Sequence, residues 1–88
     1  ALYDKTNRYG AAVSSATTFL DDYPMSTFKE EVYFVLVENS YLLAKNSVES
    51  KKTSRIKETI ERYNTFVTLF PTSEKVRTLK VYHDDLSQ

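Results

Sequence analysis

Histidine is the first residue type to weigh for chemistry, and this chain has one, His83. Asp84 and Asp85 follow it directly, a grouping in which a metal ligand or a general base would be sought. Adjacent residues on a helix point about 100° apart, so neither aspartate is expected to share the face of His83. Metal sites need three or four convergent ligands. With no cysteine in the chain there is no thiolate site, disulfide or cysteine nucleophile. The expected role of His83 is therefore that of a partly buried helix-end residue near Val76, Leu79 and Leu86. Paired carboxylates stand at Asp21-Asp22, Glu30-Glu31 and Asp84-Asp85. Acid–base catalysis needs two carboxyls in environments that push their pKa values apart. Glu30 and Glu31 instead fall in the first turns of a helix, where negative charge is favoured by the macrodipole. Asp21 and Asp22 close a helix, which is mildly unfavourable; they are read as solvated carboxylates, with an external partner as the alternative. A single glycine excludes a Gly-rich phosphate loop, and no serine sits in a nucleophile elbow. The expectation is a non-catalytic chain with no cofactor and no metal.

Binding chemistry is better represented. Between residues 45 and 57, Lys45, Lys51, Lys52, Arg55 and Lys57 face Glu49 alone, a basic stretch suited to an acidic partner surface or lipid headgroups. Lys51, Lys52 and Arg55 are taken as partner-binding candidates. Twelve aromatics (seven Tyr, five Phe) are many for 88 residues. Phe19, Phe28, Tyr63, Phe66 and Phe70 lie on expected core stripes. Tyr33, Phe34 and Tyr41, with Val37, are candidates to line a groove on a second face of their helix, against missing repeats or a partner. Twelve Lys+Arg balance twelve Asp+Glu, which removes the electrostatic footprint of a nucleic-acid binder. The longest apolar run, Val32 to Val37, is far too short to span a bilayer.

The elements that position these residues are helices. Tyr9, Ala12, Val13, Ala16, Phe19, Leu20 and Tyr23 recur at spacings of three and four, and Pro24 ends that helix because the residue before proline leaves the α region. Residues Ala1 to Thr6 are read as a frayed end or the tail of a preceding helix. Ser26 is expected to cap a second helix running to about Asn46. Its face Phe28, Val32, Val35, Leu36 and Leu43 opposes the face Tyr33, Val37, Tyr41 and Ala44, so it is expected to be the central helix of an array. A polar loop is expected over about 45–53. Thr53 or Ser54 then caps a third helix with the stripe Ile56, Ile60, Tyr63, Val67 and Phe70, and Phe66 beside it. Pro71 ends that helix, and Ser73 caps a fourth that turns Val76, Leu79 and Leu86 inward. One glycine and two prolines argue against an all-β chain. The fold class is all-α.

A repeat organises the helices. Phe19-Leu20-Asp21-Asp22-Tyr23-Pro24-Met25-Ser26 overlays Phe66-Val67-Thr68-Leu69-Phe70-Pro71-Thr72-Ser73 at an offset of 47. Each copy holds an apolar helix end, a proline stop and a serine that starts the next helix, the structural turn motif of the array. Tetratricopeptide repeats have a period of about 34, with a proline after the second helix. The longer period here is attributed to the 45–53 loop and a lengthened helix. The chain is read as one domain over 1–88, with repeat one over about 1–46 and repeat two over about 54–88, and as part of a longer repeat protein.

At these residues the chain resembles BamD, the tetratricopeptide lipoprotein family of the outer-membrane β-barrel assembly machinery. Phe19-Leu20-x-x-Tyr23-Pro24-x-Ser26, followed by Glu31-Val32, is similar to the family's recurrent turn, and Phe66-Val67-x-x-Phe70-Pro71-x-Ser73 is a second copy. The run Tyr41 to Ser47, then Lys51-Lys52 and an Arg55-led helix, is similar to Bacteroidetes members. The resemblance implies a C-terminal fragment, on the periplasmic face of the outer membrane, of a scaffold subunit whose partners include the barrel-forming subunit. It also implies a membrane anchor through a lipid carried by a missing N-terminal region, since this sequence has neither signal peptide nor cysteine. Thr78 and Lys80 depart from the pattern, where an acidic residue and an aromatic are usual. A general tetratricopeptide adaptor of another envelope or regulatory complex is the alternative reading.

Overall fold

The computed structural model describes residues 2–87, with side chains from Thr6 onward. Four helices follow one another: α1 (Leu2–Asp22), α2 (Lys29–Lys45), α3 (Glu49–Leu69) and α4 (Lys75–Leu86). The fold is an all-α, tetratricopeptide-like array, with no strand among the described residues. Each helix packs on the next in the chain, and α2 also packs on α4, whereas among the described residues the backbone of α1 approaches neither α3 nor α4 closely. The centrality expected of α2 from its two apolar faces is therefore observed. One face meets α1 and buries Leu36. The other meets α3 and α4 and buries Val37 and Ala44.

The core sits where three helices converge. Val37 of α2, Phe66 of α3 and Leu79 of α4 form one cluster, each at most 1% exposed. Tyr33, Phe34, Tyr63, Phe70, Val76 and Tyr82 close around it. Removing such side chains from water stabilises the fold by about 1.5–3 kcal/mol each. Polar groups that the packing encloses are satisfied. Ser40 donates to the Leu36 carbonyl at 2.7 Å and accepts from Arg62 Nη1 at 2.9 Å, and Thr59 donates to the Arg55 carbonyl at 2.8 Å. With Arg55 Nη1 donating to Ser47 Oγ at 2.6 Å and Tyr33 6.3 Å from Phe66, these pairs set α2 antiparallel to α3.

The 47-residue repeat extends from letters to hydrogen bonds. The Tyr23 and Phe70 amides each donate to the carbonyl four residues back, at 2.8 Å in both copies. Ser26 and Ser73 amides bond to the Tyr23 and Phe70 carbonyls, both at 3.1 Å. Each serine hydroxyl accepts the backbone N–H two residues on, from Phe28 and from Lys75, both at 3.1 Å. The aromatic pairs Phe19–Tyr23 and Phe66–Phe70 also match, with ring centroids at 5.2 and 5.0 Å.

Several boundaries differ from expectation. The serines act a short turn earlier than expected: the residues preceding α2 and α4 are Phe28 and Glu74, neither with a side-chain cap. The expected tail is the first turn of α1 itself over 2–6, and Ala1 lies outside the described residues. The expected loop over 45–53 shrinks to 46–48, and Val48, with extended backbone (φ −68°, ψ 156°), precedes α3 in place of Thr53 or Ser54. Glu49, Lys51 and Lys52 are adequate helix formers, and Glu49 sits at the positive end of the dipole. Their polarity reports an exposed helix face, not a loop. The turn closes tightly because Asn46 and Ser47 side chains donate to the Leu42 and Leu43 carbonyls at 2.8 and 2.6 Å, satisfying the end of α2. Phe28, expected in the core, is 59% exposed, and Phe66, placed beside the α3 stripe, is its most buried apolar side chain.

The two turns differ in one respect that is open to measurement. Ser73 Oγ also donates to Glu30 Oε2 at 3.0 Å, which ties the second turn to α2, while Ser26 holds only its local N–H. Ser26→Ala is expected to cost about 0.5–1 kcal/mol and Ser73→Ala about 1–2 kcal/mol. Urea unfolding of both variants checks this, and equal losses would show that the Glu30 link contributes nothing.

Candidate interaction surfaces

The aromatic candidates are used inside the array. Tyr33 and Phe34 pack on the Val37, Phe66 and Leu79 cluster, and Tyr41 stacks on Tyr82 at 4.4 Å with an interplanar angle of 15°. The expected groove on that face of α2 is thus filled by α3 and α4, because Tyr63, Phe70 and Tyr82 supply its cover. The basic candidates sit in the first two turns of α3. Lys51 is exposed, and Lys52 and Arg55 are half-buried. Arg55 is held by a relay, donating to Ser47 Oγ, which in turn donates to the Leu43 carbonyl. It opens onto a cleft between α1, α2 and α3 that Asn7, Gly10, Ser14 and Leu43 also line. Such a held guanidinium suits carboxylate recognition.

Two surfaces escaped the sequence reading. The first is an apolar groove between α1 and α2, lined by Ala12, Ala16, Phe19, Val32 and Val35, with Ser15 and Glu31 at its edge. Its signal was present: Phe28, Val32 and Val35 share a face with more apolar surface than α1 covers, and Val35 stays 41% exposed.

The second is a polar seam joining α2 to α4. Tyr41 donates to Asp85 Oδ2 at 2.8 Å, and Lys45 Nζ lies 2.9 Å from the same oxygen. Tyr82 donates to Glu38 Oε2 at 2.9 Å. Hydrogen bonds from Lys45 and then Tyr41 hold the Asp85 carboxyl below its ordinary value, and the bond to Asp85 raises Lys45. Burial, reinforced by the bond to Asp85, raises Tyr41. Burial first, and the bond to Glu38 second, push Tyr82 up to about 12. Asp85 and Lys45 are each more than a third exposed, so water screens their pair. Offsets of 40 and 44 residues link these groups, without matching letters, which is why the sequence did not disclose them.

His83 rests on the ring of Tyr63 at 4.5 Å, in keeping with a partly buried helix-end residue. Its Nδ1 does reach Asp84 Oδ1, at 3.3 Å, contrary to expectation, because both side chains lean together at the exposed end of α4. No group of three or more potential metal ligands occurs among the described residues. No described helix is long and apolar enough to cross a membrane.

Comparison with known proteins gives one match. A family model described as "YfiO: Outer membrane lipoprotein" matches residues 1–85. No curated protein and no solved structure matches the chain.

The seam sets a pH profile for stability. Asp85 has a lowered folded value, so its contribution is complete above the ordinary carboxylate pKa near 4 and is lost as pH falls through the lowered one. Tyr82, Tyr41 and Lys45 are raised, so theirs is complete below about 10 and lost as pH rises beyond it, for Tyr82 through about 12. Melting temperature is expected to be level between about pH 5 and 9 as far as these groups set it. Asp85→Asn should lower that level and flatten the acid limb. Tyr82→Phe should cost about 1 kcal/mol, or roughly 4–8 °C, and flatten the alkaline limb. Thermal scans from pH 2 to 11 check both, and unchanged limbs in the variants would remove the seam from the account.

Proposed function

The chain belongs to the YfiO family of outer membrane lipoproteins, and from that membership we propose that it serves as a non-catalytic tetratricopeptide scaffold in outer-membrane β-barrel assembly. The family match across residues 1–85 is the observation that carries this reading. The architecture supports it: three helices locked by a shared core, with α1 packed on α2, present fixed surfaces, and rigid surfaces suit partner recognition because little ordering entropy is spent on binding. The partners are other subunits of the assembly machinery, the barrel-forming one among them. The work is done at the periplasmic face of the outer membrane.

Within this reading the start of α3 is the partner-facing element. Lys51 is exposed, Lys52 half-exposed, and Arg55 is oriented from behind by Ser47. An acidic segment of the partner meets these three charges, with Arg55 able to form a bidentate pair. Tyr33, Phe34 and Tyr41 act indirectly by fixing α3 and α4 on α2.

Purification of the intact, anchored protein from envelope extract should bring down the barrel-forming subunit. Replacing Lys51, Lys52 and Arg55 by glutamate should cut that recovery about tenfold or more, with stronger loss at low salt, while circular dichroism is unchanged. Absence of the barrel-forming subunit from the wild-type eluate would end the assembly reading.

A further inference from the structure

Two arginines of α3 cross to serines of α2 in the same way. Arg62 Nη1 donates to Ser40 Oγ at 2.9 Å, and Arg55 Nη1 donates to Ser47 Oγ at 2.6 Å. Arg62 has a carboxylate of its own chain nearby, Glu58 Oε2 at 4.0 Å. Arg55 has none among the described residues. Its guanidinium is half-buried and opens onto the cleft where α1 and α3 part, with Leu43 of α2 between them. The α1 wall of that cleft holds the one glycine of the chain, Gly10. Glycine inside a helix weakens it relative to alanine, so it needs a reason. Backbone conformation supplies none, since the φ of Gly10 is not positive. Packing supplies none either, because a Cβ placed there would meet no atom within 4 Å. Asn7 and Ser14 stand about one turn to either side, and neither side chain has a hydrogen-bond partner among the described residues.

We propose that this cleft binds a carboxylate carried on an extended peptide segment, with the carboxylate on Arg55 and the backbone of the segment passing over Gly10. From Thr6 to Ser14 the wall runs about 12 Å. That is too long for a lone carboxylate and is matched by roughly four residues of extended chain. Arg55 is the one charged residue among those lining the cleft. One positive charge suits a carboxylate and leaves a phosphate monoester, with its charge of about −1.5 to −2, poorly neutralised. A fork fixed from behind by Ser47 is already set for the planar, bidentate pair. Asn7 and Ser14 are placed to bond the peptide groups of the segment, which in an extended chain lack internal partners. In the cell this segment is the acidic one assigned above to the assembly partner, an identity that rests on that reading.

Titrating the 88-residue chain with short peptides, followed by amide NMR shifts, tests the site without any assembly subunit. Acetyl-Ser-Ala-Glu-Ala-Ser-amide should shift Gly10, Ser14 and the Arg55 Nε–H and saturate, and its Gln counterpart should bind about tenfold more weakly or worse. The Gln peptide with a free C-terminus moves the carboxylate to the chain end. Binding of that peptide alone assigns the site to a chain terminus, and binding of the Glu peptide alone assigns it to a side chain. Equal binding of all three, or binding of none, would overturn the proposal, as would stronger competition by inorganic phosphate than by acetate. Two variants separate this role from a structural one. Gly10→Ala should raise the melting temperature by about 4–8 °C, because the helix gains propensity and the added methyl meets nothing. Gly10→Leu should stay folded and weaken the bound peptide about tenfold or more, since its side chain fills the cleft. Lower stability in the alanine variant, or undiminished binding in the leucine variant, would count against the site. A failed co-purification and a failed titration are thus separate results.

Discussion

Everything in this fold depends on one wedge: Val37 of α2 held between Phe66 of α3 and Leu79 of α4. Among the described residues those three side chains are the one buried cluster shared by three helices, and an 88-residue chain has little further apolar area to draw on. The wedge fixes α2 against two helices at once, leaving its opposite face for α1. It also explains the choice of small residues along the rest of the contact. Ser40 and Ala44 continue the stripe of Val37 toward the C-terminal end of α2, and their size lets α3 lie close enough for Arg62 and Arg55 to bond across.

Close approach then has an electrostatic consequence. With α2 and α4 drawn together, Tyr41 and Tyr82 stack, and their hydroxyls reach carboxylates on the opposite helix. Stacked rings leave the two phenols little water, which is why burial leads the upward shift of each. The seam follows from the wedge and holds the far end of α4, where Asp85 is bonded by both Tyr41 and Lys45. At the near end the Ser73–Glu30–Lys75 contacts do the same work. α4 is short, and pins at both ends compensate for its limited core.

Much of this was legible in the residues, and the limits are instructive. The all-α class, the central place of α2 and the inward face of Val76, Leu79 and Leu86 follow from periodicity, because a helix apolar on two sides has to be covered on two sides. The proline–serine turns were legible because their chemistry is local, a proline stop and a hydroxyl accepting an N–H two residues on. The boundary of α3 was not, because composition alone cannot separate a polar loop from a solvent-facing helix turn. The aromatics Tyr33, Phe34 and Tyr41 were placed on the correct face of α2, but whether that face was open depended on α3 and α4 folding back over it. Phe28 shows the reverse error, an aromatic in phase with the stripe that stays 59% exposed because α1 does not reach it.

The repeat also shows how the two ends of the array differ in the faces they present. Carried forward by 47, the α2 positions that grip α3 become Lys80, Val81, Asp84 and Ser87, all exposed on α4 or at its C-terminal end, with Val81 the one apolar side chain among them. At the other end the groove between α1 and α2 is lined by Ala12, Ala16, Phe19, Val32 and Val35, with Ser15 and Glu31 its polar members. The same backbone period therefore presents a polar outer face on α4 and an apolar trough at the α1–α2 end. Burial of apolar area favours covering the trough, whereas the cost of stripping water from Lys80 and Asp84 keeps that face of α4 in solvent. Lys80 and Asp84, in the places of Tyr33 and Val37, make the two ends differ: each faces water where its counterpart packs inside the array.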